Sequence, residues 1–214
     1  MGGPDERSER KKRDSVRGKG MSDVYVSAKN IAPVCALILC TSIALADSVA
    51  VPPSLQAKLA GKLALFDRAF AGRAGDRAHV LIVIRRGDPA STRFADEFAG
   101  ALKQVDAIGG LPHDEATAEY TGADSLAAAV KTQHPAIVYF SAGFTNEAHA
   151  IGAALTGVDV LTIAAEPDAV EKGIVAGFDL ISNQPKIVVN LKQAESQKVQ
   201  FTGALLKLAI ITGG

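Results

Sequence analysis

The sequence has no tryptophan, only two cysteines, few aromatics and no surplus charge. Aromatic residues are 5% of the 214, and 23 Lys+Arg stand against 23 Asp+Glu. Each shortage excludes something. A neutral balance argues against a basic nucleic-acid binder, whose grip comes from neutralising phosphates. Two cysteines are too few for a disulfide framework. No Gly-x-x-x-x-Gly-Lys-Ser/Thr loop occurs, and no Gly-x-Gly-x-x-Gly follows a strand-like run, so both common phosphate-cradling turns are missing. The four histidines (His79, His113, His134, His149) form no i, i+4 pair. No zinc site or other metal is expected from them. What is present is 48% hydrophobic residues. That suits a soluble globular protein and excludes a disordered chain, a collagen or a multi-span membrane protein.

The neutral average hides an asymmetry. Residues 1–20 carry seven Lys/Arg against four acids and one aliphatic side chain, Val16. Such a stretch cannot bury enough to order itself, and it reads as a disordered charged tail. Met21 is an alternative start that would leave this tail outside the protein. Residues 21–46 then read as a signal peptide. Lys29 gives the basic flank, residues 30–46 are uncharged, and Ala44-Leu45-Ala46 ends the run. Cleavage is expected between Ala46 and Asp47. The alternative is an uncleaved N-terminal membrane anchor, although the run is at the short end of the roughly 17–25 residues that span a bilayer, and Pro33 interrupts it. Cys35 and Cys40 lie inside this run, behind Val34 and Leu39 rather than the small residue that lipidation needs. The mature chain would be periplasmic or secreted. It would have no cysteine, and 15 Lys/Arg against 18 Asp/Glu give it a net charge of −3. That charge offers nothing to nucleic acid.

From residue 52 to 211 one domain is expected, with no linker or repeat. Leu55, Leu59, Leu63, Phe66 and Phe70 recur at steps of three and four, which predicts a helix ended by Gly72 and Gly75. Residues 80–84, 136–140 and 158–163 are apolar β-rich runs, as in strands buried on both faces of a parallel sheet. Helices are expected from about Ser91, from Asp124 or Ser125 as cap, and from Thr145 as cap. Pro167 opens a helix that Gly173 closes. Glu115–Tyr120 reads as an edge strand. Residues 174–181 and 186–189 leave room only for an antiparallel hairpin. Asn190 then caps a terminal helix to about Ile211, with Leu205, Leu206 and Leu208 closing the core. The fold class is α/β: a three-layer α/β sandwich, mainly parallel, closed by an antiparallel hairpin and a terminal helix.

Chemistry is sparse, and no cofactor is implied. Tyr139-Phe140-Ser141-Ala142-Gly143 lacks the leading Gly of a nucleophile elbow, so a hydrolase using Ser141 ranks last. Carboxylate pairs such as Asp96-Glu97 and Glu166/Asp168 could do acid–base work only if partly buried. In open α/β sheets ligands bind beyond the carboxyl ends of the strands. Those ends supply Arg85, Arg86, Ser141, Thr145, Asn146 and Thr162. Two arginines beside a helix N-terminus could take an anionic group.

The ending carries more. VLTIAAEPD at 160–168 leads to Gly173 and Gly177. A strand then runs into Asn190-Leu191, and Leu205-Leu206-Lys207-Leu208-Ala209 follows. This order resembles the YfiR-like family of secreted bacterial proteins, best over 135–211 and more loosely from 54. The motifs are packing motifs. Gly173 and Gly177 allow a turn and a close approach, and Asn190 with Gln193 reads as a capping arrangement. The resemblance implies a non-enzymatic periplasmic regulator. It implies action on an inner-membrane signalling protein such as a diguanylate cyclase, and a tendency to form a homodimer. The absence of cysteine from the mature chain sets it apart from the redox-controlled member of that family. The alternative is a periplasmic small-ligand-binding component of a transporter or sensor.

Overall fold

The computed structural model describes residues 51–213. The tail, the leader, its two cysteines and the cleavage position lie outside the described residues. Helix α1 spans Pro53–Ala64 and α2 spans Phe70–Ala74. Then come β1 (Ala78–Arg85), α3 (Pro89–Leu102), β2 (His113–Tyr120), α4 (Ala123–Gln133) and β3 (Ile137–Phe140). They are followed by α5 (Ala148–Ala154), β4 (Leu161–Ala164), α6 (Pro167–Lys172), β5 (Ala176–Ile181) and β6 (Gln184–Asn190). The chain finishes with α7 (Leu191–Ser196), α8 (Gly203–Leu206) and β7 (Ile210–Thr212).

Seven strands form one sheet in the order β2-β1-β3-β4-β5-β6-β7. All neighbours are parallel except β5 and β6. The period-2 alternation of strand side chains makes the three layers. Val80, Ile82, Ile137, Tyr139, Leu161 and Ile163 face one core with α1 and α3. Leu81, Val83, Val138, Phe140 and Ala164 face the other with α4, α5 and α6. Tyr139 stacks on Phe98 with centroids 3.6 Å apart and planes 6° from parallel. Its hydroxyl donates to Gln56 Oε1 at 2.6 Å. Gln56 Nε2 in turn donates to the carbonyls of Val51 and Ala165, which seats the start of α1 beside the end of β4.

Several elements differ from the sequence expectation. The first helix breaks after Ala64, because the buried Asp67 carboxylate accepts from Ala69 N and from Gln200 N. A short acid that bonds nearby amides competes with helix. The expected long terminal helix is also interrupted: α7 stops at Ser196, and Lys198 follows at φ 58°. Gln200 is held against Asp67, and Phe201 makes an isolated bridge to it. The β-branched Ile210-Ile211-Thr212 pairs with β6 as a seventh strand. Leu205 is buried, Leu206 is half-buried and Lys207 is exposed. Leu208 is 72% exposed, so it does not close the core. The hairpin turn is only Ser182-Asn183, both at positive φ (51° and 59°), the conformation of a two-residue type I′ turn. Helix α4 starts without a side-chain cap at Gly122, and Thr145 caps nothing because α5 starts at Ala148. The cap the sequence reading missed is Asp88, which accepts from Ala90 N and Ser91 N ahead of Pro89.

The two rims of the sheet are unlike. Strand β2 is eight residues long and carries Asp114, Glu115 and Glu119. Strand β7 is three residues long.

Candidate functional site

Strand β1 lies between β2 and β3, so the chain leaves it in both directions and opens a crevice at its carboxyl end. Arg85 ends β1, Ser141 follows β3 and Glu166 follows β4. The 142–147 loop lies across these ends. Arg85 Nη1 donates to the Gly143 carbonyl and reaches the Glu147 carboxylate at 3.1 Å. Glu166 accepts from Gly143 N at 3.0 Å and from the Thr145 hydroxyl at 2.9 Å. Gly143 sits at φ 93°, and a Cβ there would stand 2.9 Å from Arg85 Cδ. A side chain would both strain this turn and push the guanidinium off its carbonyl.

Beneath the loop, Ser91 and Ser141 form a buried hydroxyl pair 2.6 Å apart. Ser141 Oγ donates to Val83 O at 3.0 Å, and Ser91 Oγ accepts from Arg85 N at 2.9 Å. Neither partner of Ser141 is a base, so this serine has nothing to take its proton. Tyr120 ends β2 with its ring edge-on to Phe144. Burial pushes its phenol pKa up, as does the Glu147 charge, while Arg85 pulls it down. Tyr139 is pushed well above 10.0 by burial first and by Glu166 second.

The structure therefore brings Arg85, Ser141 and Thr145 together. Arg86 stands apart, largely exposed, with Glu119 at 3.5 Å. Asn146 is exposed on the loop crest. Thr162 is fully buried. Its hydroxyl donates to Gln197 Oε1 and accepts from Val175 N, which leaves it bonded within the core. Glu147, Ser91 and Tyr120 join the site, and the sequence reading gave none of them a role in it. Their contacts cross 62, 50 and 24 positions along the chain, and no local pattern announces such pairs. Of the family-motif residues, Asn190, Leu191, Gly173 and Gly177 make close internal contacts. Asn190 accepts from Gln193 N and donates to Val170 O, and Leu191 packs on the main core. A Cβ on Gly173 would meet the Ala148 carbonyl at 2.8 Å, and one on Gly177 would meet Val170 at 2.6 Å. Among the described residues no group of three or more His, Cys, Asp or Glu could hold a metal. No described helix is long and apolar enough to cross a membrane.

A family model described as YfiR/HmsC-like matches residues 71–210. The chain belongs to this family. None of the curated proteins matches the sequence. Among solved structures, this YfiR/HmsC-like chain is similar to an ABC domain in complex with L-Trp from Streptococcus pneumoniae, at 13% identity and a TM-score of 0.53. It is also similar to a conserved domain protein from Vibrio cholerae, at 16% identity and a TM-score of 0.50. Each match covers 75% of this chain and 62% or 60% of the other. The chain thus spans less than two thirds of the structures it matches. At such identity the likeness is one of fold.

Proposed function

We propose that this YfiR/HmsC-like protein is a non-enzymatic periplasmic regulator that contacts an inner-membrane signalling protein through the carboxyl end of its sheet. The observation that carries the reading is the closure of the crevice from within. Arg85 and Glu166 spend their charges on the 142–147 loop, and Ser141 is buried beneath it. A crevice filled by its own chain supports recognition by an outer surface, not turnover of a captured substrate. The fixed loop presents Thr145 and Asn146 on a rigid base, which lowers the ordering cost of association. Family membership supports a regulatory role. Export through residues 21–46, with cleavage at Ala46/Asp47 or retention as an anchor, is part of this proposal.

A photo-crosslinking residue at Asn146, used in membrane preparations of the native host, tests the reading. The expected outcome is a single adduct with an integral membrane signalling protein, lost when Glu166→Gln frees the loop. No membrane adduct, together with saturable binding of a small anion, would overturn it. That result would favour the second reading, a small-ligand-binding component of a transporter or sensor. In its favour stand the fold shared with a domain that holds L-Trp and the 36% of the Arg85 side chain left exposed at the switch point.

A further inference from the structure

At the opposite end of the sheet, among the amino ends of the strands, the Arg73 side chain is 3% exposed. Its Nη1 lies 2.7 Å from the buried Asp67 Oδ2, and its Nε lies 2.6 Å from Asp159 Oδ1. Its Nη2 is buried and finds no acceptor among the described residues. A guanidinium is a planar fork in which Nε and Nη2 share one edge, and a carboxylate or phosphate matches that edge with two parallel bonds. Asp159 makes only one of the two. The edge therefore lies on the Asp159 side, and Asp159, 46% exposed, is a movable partner.

That side is a groove of about 410 Å³ lined by Arg73, Asp159, Gly72, Gly157, Lys131 and His134. Lys131 stands exposed in the last turn of α4. A Cβ on Gly72 or Gly157 would meet nothing within 4 Å, so the groove is open beside both glycines. Asp67 stays with Nη1 whatever happens at the other edge. Once Asp159 turns to solvent, the groove presents the free Arg73 edge and Lys131.

We infer that this groove binds a small oxyanion, a carboxylate or phosphate group. The oxyanion takes the Nε/Nη2 edge of Arg73 in place of Asp159, with Lys131 as the second positive charge. The donor left over by the fold and the open wall of glycines are two separate observations that meet at one place. The site is at the other end of the sheet from the crevice and does not depend on the role assigned to it.

Inorganic phosphate and succinate, each alone, are titrated into the protein by calorimetry. Asp159→Ala removes the competing carboxylate and is expected to tighten binding about tenfold, the worth of one charged hydrogen bond. Lys131→Gln is expected to weaken it by a similar factor. Gly72→Leu places a side chain in the open groove beside Arg73. It is expected to abolish saturable binding while the melting temperature holds or rises, because leucine is the better helix former. Phosphate alone binding would mark a phosphoryl ligand, and succinate alone a carboxylate. Binding of neither anion to the wild type and to Asp159→Ala overturns the site, as does unchanged binding in a folded Gly72→Leu variant.

Discussion

Arg85 and Arg73 sit at opposite ends of the same sheet and are satisfied in opposite ways. Arg85 is part-exposed and holds down a loop through a carbonyl and one carboxylate. Arg73 is buried between two carboxylates and keeps one nitrogen to spare. Topology places ligand sites at the carboxyl ends of strands. Here that end has been closed by the chain's own groups, while the amino end retains an unmet donor. The difference teaches that a position favoured by the fold becomes a site only where the local hydrogen bonds leave something undone.

The largest expected effect is at the amino end. Arg73→Met strands Asp67 as a buried unpaired charge and should cost about 3–5 kcal/mol in urea unfolding. Arg85→Met, at the partly exposed carboxyl end, should cost about 1 kcal/mol or less. Equal costs would break the comparison. Tyr139→Phe falls between them, at about 1–3 kcal/mol, because it leaves Gln56 Oε1 buried without its donor. It also has a pH signature. The folded protein keeps Tyr139 protonated above 10.0, whereas the unfolded chain releases that proton near 10.0. Stability should therefore fall as pH rises past 10.0. The Tyr139→Phe variant should lose most of that fall and keep the smaller part due to Tyr120. The smallest effect is local. Glu166→Gln should leave global stability within about 0.5 kcal/mol and speed hydrogen exchange at the Gly143 amide. Unchanged exchange would mean that the loop is held by Arg85 alone.

Much of the sheet was legible in the sequence because its signals are local. Val80–Ile84 and Ala136–Phe140 are unbroken apolar runs, and a run of that kind is what burial on both faces requires. Pro167 and Gly173 mark the two ends of α6 by fixed φ and by positive φ. The terminal segment was not legible. Helix α7 stops at Ser196, and the chain beyond it is held by Asp67, 133 positions away, which takes the Gln200 amide. Leu208 was misplaced because it was read on the face of one long helix, whereas the short α8 stops at Leu206 and leaves it exposed. In the candidate site, Arg85, Ser141 and Thr145 could be placed because strand ends are countable. Thr162 could not be told from them, since its side chain turns into the core toward Gln197. Glu147 and Arg73 gave no warning. Each looks like a solvated charge until the loop or groove that holds it is assembled.

The unlike rims of the sheet have their own consequence. An open strand edge is a template on which another molecule can add itself, and long flat apolar edges seed fibres. On the β2 side the row of amides is guarded by charge, from Asp114 to Glu119. On the β7 side the row is cut to three residues, too few to hold a stacked neighbour in register. A mutation that neutralised those acids would leave the fold standing and shorten the time a concentrated solution stays clear.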